Sequence, residues 1–251
     1  MVVAPSDHFI KENNIFAANV EKAMEFAFEH DELITLGIQP TRPDTGYGYI
    51  QMMEEQQING FHKVKTFTEK PNLELAMEFI SSGEFLWNAG IFIWSIKSIE
   101  KAFEQYLPEL YKSFTDKYDS FGKPEEKEAI AEIYSGFQGV SIDYGVMEKA
   151  PNVYVLPATF TWSDIGTWNA LYDFSEKDEN GNLIRAKNAI VRNSSGCLIQ
   201  SSGDRLIAMN GLKDVILIEE GNAILLADRN KEQEVKSLVN EIKANNGEKY
   251  T

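Results

Sequence analysis

The periodicity of the apolar residues changes once along this chain, near residue 182, and that change calls for two modules of different build. Beyond it, Ala189-Ile190-Val191, Cys197-Leu198-Ile199, Leu206-Ile207-Ala208, Val215-Ile216-Leu217-Ile218 and Ala223-Ile224-Leu225-Leu226 recur every seven to ten residues. Asn, Gly, Ser and Asp punctuate these runs. Evenly spaced short strands with turn residues between them predict a small β-roll or β-helix-like module. A closing helix places Val235, Leu238, Val239 and Ile242 on one face and is expected to cap that module.

Ahead of the change, strands alternate with amphipathic helices. Phe16, Val20, Ala23, Met24, Ala27 and Phe28 recur on one helical face, and Leu33-Ile34-Thr35-Leu36-Gly37 follows as a nearly continuous apolar run. With Val2-Val3 ahead of the helix, this reads as a βαβ unit, its first strand a buried parallel one. Pro40, Pro43, Gly46 and Gly48 mark a loop, and strands at 49–52 and 64–67 predict a hairpin around Asn59-Gly60. A short helix over 73–80 should be N-capped by Asn72, and Gly90-Ile91-Phe92-Ile93-Trp94 is the most apolar strand candidate. Helical pattern from Ile96 to Glu132, broken at Pro108 and near Gly122, precedes a strand over 152–156 and a helix over 167–174. The expected architecture is α/β, a doubly wound and mostly parallel sheet over 1–176, with the β-helix-like module over 177–251.

Charge and composition narrow the function. Lys and Arg number 24 against 39 Asp and Glu, a net −15, which argues against nucleic acid as a partner. No apolar run is long enough to span a membrane. The single cysteine, Cys197, excludes an intrachain disulfide framework and fits a cytoplasmic setting. Any anionic substrate must be met by a few local cations, by helix N-termini or by a metal ion.

Five segments offer chemistry. Asp7 stands just beyond the first strand, where α/β sheets bind ligands; it reads either as a Mg²⁺ ligand or as an N-cap. Asp164, between Trp162 and Gly166, carries the same two readings. Glu69 and Lys70 leave a strand together before Pro71: a carboxylate suited to vicinal hydroxyls and an ammonium suited to phosphate, or else a surface ion pair. Gly46, in Thr45-Gly46-Tyr47-Gly48-Tyr49, lets backbone come close to a ligand or simply turns the chain. Asn88 can both donate to and accept from a hydroxyl, or can close a turn.

In order, PSDH (5–8), TGYGYI (45–50), FTEKP (67–71), WNAGIFIW (87–94), SIDYGVMEK (141–149) and WSDIGTW (162–168) closely resemble the mannose-1-phosphate guanylyltransferases. The resemblance covers nearly the whole chain. It implies the reaction of GTP with α-D-mannose 1-phosphate to give GDP-mannose and pyrophosphate, with Mg²⁺ as cofactor. It implies Asp7 and Asp164 as Mg²⁺ ligands, Glu69 and Asn88 as mannose-hydroxyl contacts, Lys70 as the phosphate contact and Gly46 as a backbone contact in the sugar pocket. Asp143 and Lys149 fall in a family motif without an assigned role.

One departure is large. The resemblance implies a glycine-rich, cation-bearing segment that wraps the triphosphate, and none occurs here. The chain is therefore expected to lack the first βα units of its sheet, and with them the residues that read guanine. On that expectation these residues alone bind GTP–Mg²⁺ weakly and are inactive. Two alternatives stand beside the main reading: a non-catalytic regulatory or assembly partner, and a sugar-1-phosphate nucleotidyltransferase with another base. Open sheet edges are expected to favour a homo-oligomer.

Overall fold

The computed structural model describes residues 1–250. The chain divides into two compact units, Met1–Trp162 and Ser163 onward.

The first unit is built on a six-stranded sheet. In chain order it holds β1 (Val2–Val3), the short extended pair β2 (Phe9–Ile10), α1 (Asn13–Glu29), β3 (Leu33–Ile38), β4 (Tyr49–Ile58) and β5 (Phe61–Thr68). Then follow α2 (Leu73–Ser82), β6 (Phe85–Ile93), α3 (Ile96–Tyr106), α4 (Pro108–Thr115), α5 (Glu126–Gly136) and β7 (Val153–Pro157), with β8 (Trp162–Ser163) at the unit boundary. The sheet order is β1-β6-β3-β7-β5-β4. β3 and β7 pair in parallel, while every other neighbouring pair is antiparallel. Since β6 and β5 run against their neighbours, β1, β3, β7 and β4 share one direction, and the βαβ relation of β1 to β3 holds with β6 inserted between them. β4 also pairs with β6, through Tyr49–Gln51 and Phe85–Trp87, which ties the β4–β5 hairpin back onto the sheet.

Alternation along the strands fills both faces. Ile34, Leu36 and Ile38 of β3, with Trp87, Ile91 and Ile93 of β6, pack under α1 and α2. Leu33, Leu86, Phe92 and Trp94 face the other way, against Ile99 and Ala102 of α3. Buried on both sides, these strands read as continuous apolar runs. The turn between β4 and β5 is Asn59-Gly60, both at positive φ (53° and 85°), as a twist-matched hairpin requires. Asn72 caps α2 by accepting from the Leu75 N–H at 2.9 Å. Pro108 opens α4, where its missing N–H costs nothing.

The first strand differs from expectation. β1 is not a buried parallel strand: it pairs antiparallel with β6 at the sheet edge, leaving Val2 36% and Val3 43% exposed. A β-branched pair identifies a strand but does not say how many neighbours it has.

In the second unit, α6 (Trp168–Phe174) precedes β9 (Leu183–Arg185), β10 (Ala189–Arg192), β11 (Leu198–Ser201), β12 (Ile207–Asn210), β13 (Val215–Glu220), β14 (Ala223–Asp228) and α7 (Glu234–Asn246). β9, β11 and β13 stack in parallel, as do β10 and β12, so successive turns of chain lie one above another around Cys197, Ile199, Ile207 and Met209. That is the arrangement the short-strand spacing predicts, with β9 an extra rung, except that β14 folds back antiparallel on β13 instead of adding a parallel rung. The unit begins before residue 176 because Trp168, Leu171 and Tyr172 of α6 pack on Leu183, Leu198 and Ile216. A helix pattern alone does not say which module it packs on.

Candidate active site

The loop from β3 to β4 is organised by Asp44. Its buried carboxylate accepts from the Gly46 N–H at 2.8 Å and pairs with Arg42 at 2.9 Å, while its carbonyl accepts from Tyr49 Oη at 3.0 Å. Arg42 also lies over the Trp87 ring, 5.5 Å from its centre. These bonds fix the Gly46-Tyr47-Gly48 segment, whose N–H at Gly46 is thereby engaged inside the loop.

Gly48 is where the backbone comes closest to the candidate side chains. A Cβ there would overlap the Glu69 carboxylate and stand 3.4 Å from Asn88 Cβ. The Gly48 carbonyl accepts from the Asn88 N–H at 2.8 Å. Gly48, rather than the exposed Gly46, is the position in this loop where a side chain would displace the Glu69 carboxylate.

Glu69 and Lys70 follow β5 directly. Lys70 adopts φ 48°, a left-handed conformation uncommon for a residue with a Cβ, and turns its ammonium back onto Glu69 Oε1. The pair is asymmetric: the Glu69 side chain is 11% exposed and that of Lys70 is 61% exposed. The Glu69 partner raises the Lys70 pKa, so Lys70 stays an ammonium at neutral pH.

Asn88 sits where β6 bulges against β3, between Gly37↔Asn88 and Thr35↔Phe92. Its Oδ1 accepts from the Gly90 N–H at 3.1 Å and lies 3.1 Å from the Thr35 hydroxyl, whose proton it shares with the Ile91 carbonyl at 3.3 Å. Its Nδ2 donates to Asp143 Oδ1 at 2.9 Å. The amide is thus turned with its oxygen engaged, which leaves an N–H as its free capacity. The two-way capacity expected of Asn88 is narrowed to one direction.

Asp143 opens a short π-helical turn, Asp143–Met147, anchored by the buried Val146 and Met147. Such turns often mark functional positions. Burial first, and then the negative charge of Glu69, push the Asp143 carboxyl up from its ordinary value. Glu148 is raised by burial too, with Glu69 and Asp143 adding to it. The result is a cluster of three carboxylates, Glu69, Asp143 and Glu148, with Lys70 and Lys149 as its neighbouring cations.

The two candidate metal ligands are placed differently. Asp7 is exposed and does not cap α1, whose N-cap is Glu12. The Glu12 carboxylate instead accepts from the Thr161 N–H at 2.7 Å. Asp164, in the second unit, accepts from the Gly166 N–H at 2.9 Å, and the cap of α6 is Thr167, which accepts from the Ala170 N–H at 3.1 Å. Capping therefore accounts for neither aspartate. Among the described residues no group of three or more His, Cys, Asp or Glu forms a metal cluster. Mg²⁺ does not need one, because it binds through one or two carboxylates with water and substrate phosphate completing its shell. Ile165, beside Asp164, takes φ 48°, a rare conformation for a β-branched residue, with its N–H donating to Ser163 Oγ at 3.1 Å.

The α/β sheet of the first unit and the loops at its edge have the build of a nucleotidyltransferase, and comparison with known proteins shows that family. The nucleotidyl transferase family model matches residues 1–181, and the chain belongs to that family, whose members typically use a divalent metal ion. Residues 187–242 match a second model, the MannoseP isomerase/GMP-like beta-helix domain. A mannose-1-phosphate guanylyltransferase from Salmonella montevideo is 34% identical over 98% of this chain and 53% of its own length. The xanthan biosynthesis protein XanB of Xanthomonas campestris is 36% identical over 97% of this chain and 51% of its own. This chain spans about half the length of these relatives. A crystal structure described as a mannose-1-phosphate geranyltransferase from Thermus thermophilus superposes with a TM-score of 0.82 at 28% identity, covering 96% of this chain and 69% of that one.

Asp143, Thr35 and Gly48 join the site although the sequence did not single out their roles. Gly48 carried a signal as the second glycine of a Gly-x-Gly and Asp143 as a member of the SIDYGVMEK motif, whereas Thr35 carried none.

Proposed function

We propose that this chain carries the acceptor-sugar half of a mannose-1-phosphate guanylyltransferase, the enzyme that moves GMP from GTP to α-D-mannose 1-phosphate and releases pyrophosphate. The observation that carries this reading is the gathering of Glu69 and Asn88 at the bare backbone of Gly48, with Lys70 paired to Glu69. Glu69 accepts from sugar hydroxyls and Asn88 donates to one. Lys70 meets the sugar phosphate, and the Gly46–Gly48 backbone lines the pocket. Asp7 and Asp164 are each proposed as ligands of Mg²⁺, the hard oxygen donors that ion takes. Held by either carboxylate, Mg²⁺ would supply charge neutralisation on phosphate oxygens. The reacting oxygen of the sugar phosphate attacks the α-phosphorus of GTP in line, and the bond to pyrophosphate breaks. The protein's part is to position the acceptor and withhold competing water.

The same reading assigns the protein to nucleotide-sugar supply for polysaccharide synthesis, in the cytoplasm. No helix among the described residues is long and apolar enough to cross a membrane. Self-association is part of the proposal, supported by exposed Val2 and Val3 on the edge strand β1.

The sugar assignment is tested by equilibrium binding of GDP-mannose and GDP-glucose, which differ only in the configuration at one carbon. The expected result is at least about tenfold tighter binding of GDP-mannose, the scale of one well-placed hydrogen bond. Equal affinities, or preference for the glucose compound, would overturn it.

A further inference from the structure

Asp143 has no role in the reading above, yet it holds one of the residues that does. Asn88 has two acceptor lone pairs and two N–H groups. The Gly90 N–H and the Thr35 hydroxyl lie at Oδ1, each at 3.1 Å, and Asp143 takes one N–H at 2.9 Å. One N–H is left. Without Asp143 the amide could rotate by half a turn at the cost of the weak Gly90 and Thr35 bonds, and would then offer an acceptor instead. Asp143 itself is held by the π-helical turn, whose Val146 and Met147 are buried beneath the sheet.

We infer that Asp143 is a positioning residue that fixes the orientation of the Asn88 amide, so that Asn88 meets the sugar with a single N–H and reads one hydroxyl as an acceptor. The inference rests on the sugar-phosphate reading of the pocket for its ligand, and on the three hydrogen bonds alone for the geometry of Asn88. Glu69, fixed by Lys70 and by the space over Gly48, is the complementary acceptor. A donor and an acceptor at fixed places discriminate among hydroxyl configurations, because a sugar of the wrong configuration leaves a polar group unpaired.

Two measurements on the full chain test this. In the first, mannose 1-phosphate and its 2-, 3-, 4- and 6-deoxy derivatives are titrated into wild type, Asp143→Ala and Asp143→Asn. Asp143→Ala should weaken binding of mannose 1-phosphate about tenfold. That penalty should fall below about twofold for the one deoxy compound lacking the hydroxyl that Asn88 reads, and persist for the others. Asp143→Asn, which keeps an acceptor oxygen for Asn88, should stay within about threefold of wild type. A penalty equal for all the ligands, or an Asp143→Asn variant as weak as Asp143→Ala, would overturn the inference. The second measurement needs no ligand: the Asn88 side-chain amide signals, identified by loss in Asn88→Ala, should shift in Asp143→Ala and stay close to wild type in Asp143→Asn. Unchanged signals in Asp143→Ala would overturn the inference. If wild type binds none of the sugar phosphates, the sugar-phosphate reading fails, while the amide signals still decide the role of Asp143.

Discussion

Gly48 and Glu69 share a volume that only one of them can fill: a Cβ at residue 48 would overlap the Glu69 carboxylate. The atom in the way is the end of a flexible side chain, and Gly48 is not among the glycines at positive φ. The fold can therefore accept alanine at 48, whereas the position of the carboxylate cannot survive it. Gly48→Ala should keep its melting temperature within about 3 °C of wild type, a loss below about 1 kcal/mol. It should weaken binding of mannose 1-phosphate at least about tenfold. Thermal melting beside calorimetric titration checks both halves.

Gly37 presents the opposite case. A Cβ there would lie 2.6 Å from Leu86 Cδ1, 2.7 Å from Val155 Cγ2 and 2.9 Å from Leu86 Cβ, all in the core beneath α3. Since packed interiors do not yield cheaply, Gly37→Ala should destabilise the first unit by about 1–3 kcal/mol. Denaturant unfolding followed by tryptophan fluorescence measures this.

The acidity of the pocket gives a pH dependence with a definite sign. Asp143 has its pKa raised by burial and by Glu69. As pH rises the unfolded chain releases this proton first, so the stability linked to neutral Asp143 is complete below the ordinary aspartate pKa of about 4 and is lost as pH passes the higher native value. Asp143→Asn removes that loss. Its melting temperature should exceed that of wild type by a few degrees at neutral pH, and the gap should close near pH 3, about a unit below the ordinary aspartate pKa. Melting curves across that range decide it.

Asn72 makes a purely local contribution. Its side chain accepts from the Leu75 N–H at 2.9 Å, at the exposed start of α2. Asn72→Ala should cost about 1 kcal/mol of stability and leave ligand binding unchanged, as chemical denaturation and titration would show.

Features carried by neighbours in the chain were legible in the sequence: the Asn59-Gly60 turn, the Asn72 cap, the rungs of the second unit and the Glu69-Lys70 pair all arise from local chemistry. Features that depend on tertiary pairing were not. Asn88 meets Asp143 across 55 residues, and nothing near either one announces the other. Val2 and Val3 look like buried strand but lie at an edge, because side-chain type does not count a strand's neighbours. The left-handed backbone at Lys70 and Ile165 is equally silent, since both residues ordinarily avoid it.

The central claim is that the pocket around Glu69, Lys70 and Asn88 is built for a sugar 1-phosphate. Isothermal titration of this chain with mannose 1-phosphate, in wild type and in Glu69→Ala, tests it most directly. Wild type should show saturable one-to-one binding with a dissociation constant of about 1 mM or tighter, and the variant should bind at least about tenfold more weakly. Absence of saturable binding by folded wild type, or equal binding by Glu69→Ala, would contradict it.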